Sequence, residues 1–114
     1  MVLAFFVAAT MAHADDAAIK QKLLGYWSTG RHVFLYKSDG NALMMGGTSN
    51  RKWDVRNGMY YELGDTGDIK DASPCKIISL TQTRFVFQQS DGPTTLKRIS
   101  AKEAAIYGKP GVID

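Results

Sequence analysis

Between Tyr26 and Ser100 the chain breaks into short β-branched and aromatic runs, and within several of them the apolar positions recur at every second residue: Trp53 and Val55, Tyr61 and Leu63, Phe85 and Phe87. Period two puts such residues on one face of a β-strand, with the polar residues between them on the other. The run Val33-Phe34-Leu35-Tyr36 is apolar at every position, the pattern of a strand covered on both faces. Ser38-Asp39-Gly40-Asn41, Arg56-Asn57-Gly58 and Ser90-Asp91-Gly92-Pro93 each hold an Asp-Gly or Asn-Gly pair. Tight hairpins favour these pairs because they tolerate positive φ. Three hairpins follow, joining Arg31 to Lys37 with Ala42 to Met45, Lys52 to Val55 with Met59 to Leu63, and Arg84 to Gln88 with Thr94 to Ile99. Ile77 to Leu80 adds a strand that turns through Thr81 to Thr83, and Tyr26 to Thr29 supplies a first one. The fold class is all-β: about eight short strands in a linear meander, enough to close a small antiparallel up-and-down barrel or a curled sheet. Gly46-Gly47 marks a bulge or the sharp bend that a closing sheet requires.

Two short helices flank this meander. Asp15-Asp16 opens a two-turn amphipathic segment with Ile19 and Leu23 on one face and Gly25 as its stop, and Ser100-Ala101-Lys102-Glu103 is a capping box for a helix running to Tyr107. Ahead of both, residues 2–12 are an uncharged apolar run ending in Ala12-His13-Ala14, the small-x-small pattern of a signal-peptidase site. Residues 1–14 are therefore expected to be a signal peptide cleaved after Ala14, and the run is too short to span a bilayer. The mature domain is then 15–114, with the barrel over about 25–100 and a helical tail over 101–108, in a periplasmic or secreted protein. At 114 residues, 45% hydrophobic and 22% charged, the composition is that of one globular domain.

Charge and cysteine usage narrow the partners. The net charge is +3, from 14 basic and 11 acidic side chains. The basic residues are scattered rather than clustered as a nucleic-acid footprint requires, so no nucleic-acid partner is expected. Cys75 is the single cysteine, which rules out an intrachain disulfide and leaves packing to hold the fold.

The segments Leu23-Leu24-Gly25-Tyr26-Trp27, Val33-Phe34 before Asp39-Gly40, Lys52-Trp53-Asp54-Val55 before Asn57-Gly58, Ile77-Ile78-Ser79-Leu80, Phe85-Val86-Phe87 before Asp91-Gly92, and Leu96-Lys97-Arg98-Ile99 resemble the bacterial lipocalin-like domains, small relatives of the calycin barrels. The resemblance covers residues 19–99. It implies that Trp27, in the G-x-W of the first strand, sits at the closed end of the barrel under Arg98 of the last strand, both in structural roles. It also implies an exported module for a small apolar or amphipathic ligand.

No enzyme is expected, because no nucleophile and base can be assembled. His32 is the only histidine past the apolar run and stands at the start of an apolar strand, and Pro74-Cys75 lacks a positive neighbourhood. The loop Gly64 to Asp71 carries three carboxylates without the spacing of a calcium loop. Met44, Met45 and Met59 read as core fillers rather than metal ligands. Neither a metal nor a cofactor is implied. A ligand pocket would be lined by Tyr36, Met45, Trp53, Tyr61, Phe85 and Phe87, large apolar groups with tyrosine hydroxyls to orient a guest. The same side chains can instead fill a solid barrel, whose loops or edge would contact a protein partner in the cell envelope as an interaction or inhibitor module.

Overall fold

The computed structural model describes residues 16–63 and 69–111. The expected leader over residues 1–14 and the Gly64 to Asp68 part of the acidic loop lie outside them. Eight strands follow one another as β1 (Gly25–Ser28), β2 (Val33–Tyr36), β3 (Asn41–Met44), β4 (Arg51–Arg56), β5 (Met59–Glu62), β6 (Cys75–Leu80), β7 (Arg84–Gln89) and β8 (Gly92–Ile99). Each pairs antiparallel with the next, and β8 returns to β1 through Tyr26 opposite Ile99, Trp27 opposite Arg98 and Ser28 opposite Lys97, which closes a barrel. A helix α1 over residues 16–23 precedes the barrel. A single 3-10 turn, Ile69–Asp71, lies between β5 and β6, and α2 (Ala101–Ala105) follows β8.

Turn chemistry sets the register. Asn57 and Gly58 both take positive φ, 52° and 73°. The two-residue turn they form matches the twist of its strands and places Arg56 opposite Met59 and Val55 opposite Tyr60. Facing residues of an antiparallel pair share a face. Val55 is inward, so Tyr60 is inward as well, and both are buried.

Alternation then separates two apolar clusters. The barrel interior holds Leu23, Trp27, Phe34, Tyr36, Ala42, Trp53, Val55, Tyr60, Cys75, Phe85, Phe87 and Leu96. On the outer wall a smaller cluster of Val33, Met45 and Ala104 packs with Tyr26, Leu35 and Ile99. The all-apolar β2 is thus explained: Phe34 and Tyr36 face in, while Val33 and Leu35 face the cover that α2 provides.

The tail is shorter as a helix than the sequence pattern predicts, and longer as a strap. Ser100 Oγ accepts the Glu103 N–H at 3.1 Å, but helical geometry ends at Ala105, with Ile106 as the cap. Beyond Gly108 the chain returns along the end of β3. Pro110 bridges to Met45, the Gly46 N–H donates to the Lys109 carbonyl at 2.7 Å, and the Gly111 N–H donates to the Met44 carbonyl at 2.9 Å. Gly46 serves this docking, because a Cβ there would run into the Tyr107 carbonyl. β6 also begins earlier than expected, at Cys75, and a register shift between Ile77 and Ser79 leaves Ile78 half exposed.

Candidate functional site

The two ends of the barrel are built differently. At the α1 end, the Arg98 guanidinium carbon lies 4.3 Å from the ring centre of Trp27, which is fully buried. Arg98 Nη1 donates to the Leu24 carbonyl at 2.6 Å and Nε to the Gln82 carbonyl at 2.6 Å, while Nη2 donates to the Lys22 carbonyl. Trp27 Nε1 donates to the Leu23 carbonyl at 2.8 Å. The side chain of Asp16 accepts the Asn57 and Gly58 N–H groups at 2.8 and 2.7 Å, and Lys20 reaches Asp54 at 3.0 Å. Helix α1, two turns of the sheet and both terminal strands are thereby tied into one plug. Burial lowers the Asp54 carboxyl's tendency to ionise, yet Lys20, Arg56 and the Val55 N–H outweigh it and hold its pKa below the usual carboxylate value.

Above that plug the interior is occupied by rings in edge-to-face and tilted contact. Phe85 meets Trp27, Tyr60 and Phe87 at centre-to-centre distances of 6.1, 5.1 and 4.9 Å, and Tyr60 meets Phe87 at 4.7 Å. Tyr36 packs on Trp53 at 5.3 Å. The hydroxyls of Tyr36 and Tyr60 hydrogen-bond each other at 2.7 Å inside the barrel. Burial pushes both phenols well above the ordinary tyrosine pKa. Two buried hydroxyls in an apolar core would be costly alone and are stabilised as a pair.

Of the residues expected to line a ligand pocket, Tyr36, Trp53, Phe85 and Phe87 meet in this interior. Met45 and Tyr61 do not. Met45 belongs to the outer cluster under α2, and Tyr61 faces outward opposite Asp54 while its neighbour Tyr60 takes the inward place. Sequence reading missed Tyr60, although Val55 and the two-residue turn at Asn57-Gly58 together specify it.

The end away from α1 is looser. Arg51, opposite inward-facing Ala42, lies with its guanidinium carbon 5.1 Å from the Phe34 ring centre and pairs with Glu62 at 3.0 Å. Next to Glu62 the wall is notched. β5 and β6 share only the pairs Met59 with Lys76 and Tyr60 with Cys75. The residue just before β6 is Pro74, which has no N–H to continue the ladder. A cleft of about 490 Å³ opens there, lined by Met59, Glu62, Ser73, Pro74, Cys75, Lys76, Gln88, Gln89 and Ser90. Both the Arg51–Glu62 lid and this notch were missed by sequence reading, which carries no signal for two charged side chains meeting across β4 and β5 at a barrel mouth.

Burial, then the Glu62 carboxylate, push the Cys75 thiol above its usual pKa, away from the thiolate a nucleophile needs. His32 is exposed in the β1–β2 turn, where its N–H is taken by Thr29 Oγ1 at 3.0 Å. A second cleft, of about 220 Å³, lies between α1 and the β2–β3 turn and is bordered by Lys20, Leu24, Gly40, Trp53 and Asp54. No group of three His, Cys, Asp or Glu side chains among the described residues is arranged to hold a metal ion, and none of the described helices is long and apolar enough to cross a membrane. No known protein family matches the chain, and no curated protein or solved structure is found similar to it.

Proposed function

We propose that this chain is a lipocalin-like, calycin-type barrel that acts as an exported interaction or inhibitor module, contacting another protein through its rim and notched wall rather than enclosing a ligand. The observation that carries this reading is the packed interior: Trp27, Tyr60, Phe85 and Phe87 are fully buried and in ring contact. A ligand cup needs a concave apolar volume that the guest can enter, and here the side chains that would line the cup occupy it. The notch supplies the alternative, a concave edge with a carboxylate, an amine and two amides. No catalytic step belongs to this reading.

The test has two arms. Titration with fatty acids, haem and an apolar fluorescent probe should show nothing tighter than millimolar, and capture from periplasmic extract should return a partner that the Glu62→Lys variant no longer holds. Micromolar binding of an apolar probe by the wild type and the notch variant alike would overturn it.

A second reading has one observation in its favour, the volume of the notch, which falls in the range of small-molecule sites. There a small amphipathic molecule sits at the rim, its apolar part on Met59 and its polar part on Glu62, Lys76 or Gln89. Saturable binding that is lost on Met59→Asp and kept on substitutions inside the barrel would decide for it.

A further inference from the structure

Closure of the barrel gathers cations that the sequence scatters. At the α1 end the Arg98 backbone N–H donates to the Thr83 carbonyl at 2.9 Å, and its guanidinium donates to the Gln82, Leu24 and Lys22 carbonyls. These bonds bring the β6–β7 turn, the end of β8 and the end of α1 to one corner. One residue further along each strand, Arg84 on β7 and Lys97 on β8 face each other directly. Lys22, Arg84 and Lys97 are exposed. A cleft of about 590 Å³ opens at this corner, lined by Gln21, Lys22, Leu24, Gln82, Thr83 and Arg98.

Two of these four cations line the cleft and two stand at its edge, beside Thr83. Carboxylates are held away from it. Every ion pair among the described residues lies elsewhere, at Lys20–Asp54, Lys37–Asp39, Arg51–Glu62 and Arg56–Asp54. Asp16 is turned to the Asn57 and Gly58 N–H groups, and Asp54 to Lys20 and Arg56. Asp91 is the only acidic residue between Ala72 and Lys102, and it stands in the β7–β8 turn, at the opposite end of β7 from Thr83. The facing Arg84 and Lys97 are a like-charge cross-strand pair, which costs stability. The remaining polar lining consists of the Gln21 and Gln82 carboxamides and the Thr83 hydroxyl, all able to donate. A guanidinium has five N–H donors, so the three bonds to carbonyls leave donors over on Arg98.

We propose that this corner binds a small, water-soluble phosphate-bearing molecule, with Lys22, Arg84, Lys97 and Arg98 around its oxyanion and Gln21, Gln82 and Thr83 completing the hydrogen bonds. The arrangement of charge decides for phosphate over carboxylate. The cations stand on three elements, α1, β7 and β8, and a tetrahedral, nearly doubly charged group offers oxygens to all three, whereas a planar monoanion meets fewer of them. The recess decides for a small molecule over a polymer. Its volume is in the range of small-molecule sites, and four cations at one corner do not make the stripe along which a polyanion lies. The site is separate from the notch: Arg84 begins β7, while the notch residues Gln88 and Gln89 end it.

The test is titration of the full chain with inorganic diphosphate at constant ionic strength, followed through the backbone amide resonances. Four exposed cations, each worth up to about fivefold, bring half-saturation to about 1 mM. Saturable shifts should centre on Lys22, Gln82, Thr83 and Arg84 and weaken as salt is raised. Lys22→Gln should weaken binding about two- to fivefold, and Arg84→Gln with Lys97→Gln together about tenfold. The double variant removes a like-charge pair, so it should melt no lower than wild type while binding less. Lys109→Gln, on the strap beside Gly46 at the other end of the barrel, should bind as wild type does. The proposal is overturned if diphosphate fails to saturate by about 10 mM, or if Lys109→Gln weakens binding as much as Lys22→Gln. Equal shifts from citrate at the same charge would overturn it as well, as would binding of heparin without binding of diphosphate.

Discussion

Two arginines lie over two aromatic rings at opposite ends of one barrel, and they are held in different ways. Arg98 covers Trp27 at 4.3 Å and donates to three backbone carbonyls, those of Lys22, Leu24 and Gln82. Arg51 covers Phe34 at 5.1 Å and has one described partner, the Glu62 carboxylate. Backbone carbonyls of a packed plug cannot move away, so the first guanidinium is part of the fold. A side-chain carboxylate at an open rim can turn aside, so the second is a loosely held lid. The notch beside Glu62 and the short β5–β6 pairing put the freedom of the molecule at that end.

The comparison breaks most visibly at Trp27. Its replacement by Ala removes a fully buried indole and one wall of the aromatic cluster, and chemical denaturation should show a loss of ~3–5 kcal/mol. A variant as stable as wild type would remove the plug from the account. Tyr36→Phe should cost ~1–3 kcal/mol, because it leaves the Tyr60 hydroxyl without its partner in an apolar interior. The same pair gives a pH signature. Both phenols are raised when folded, so their contribution is intact below the unfolded tyrosine pKa near 10 and is lost as pH climbs above it. Thermal melts should fall above about pH 10, and doing so less steeply in the Tyr36→Phe, Tyr60→Phe double variant would assign the effect. Arg98→Lys keeps the charge and loses the flat stacking and forked donors, at a cost of ~1–2 kcal/mol. Arg51→Ala at the loose end should cost less than ~1 kcal/mol, since its ion pair is exposed to water. If the two arginines proved equal in stability, the distinction between plug and lid would fall.

Much of the barrel was legible in the sequence because its information is local. Asp39-Gly40, Asn57-Gly58 and Asp91-Gly92 announce hairpins through the backbone angles they permit, and Phe85 with Phe87 shows its inward face by spacing alone. Legibility failed where both faces of a strand are apolar. In Met59-Tyr60-Tyr61 the spacing cannot choose a face, and only the register imposed across Asn57-Gly58 selects Tyr60. Met45 read as interior because α2, which covers it, comes from the far end of the chain. The Arg51–Glu62 lid and the notch at Pro74 depend on which strands diverge, and that follows from closure of the whole barrel rather than from any local pattern.

The central claim is that the interior is solid, and chemical-shift mapping of the folded chain during titration with a medium-chain fatty acid tests it most directly. The account predicts that the methyls of Leu23, Val55 and Leu96 and the rings of Phe85 and Phe87 keep their resonances up to millimolar ligand, with any changes confined to Met59, Cys75 and Gln89 at the notch. Saturable shifts at Phe85, Phe87 and Leu96 would place a guest inside the barrel and contradict it.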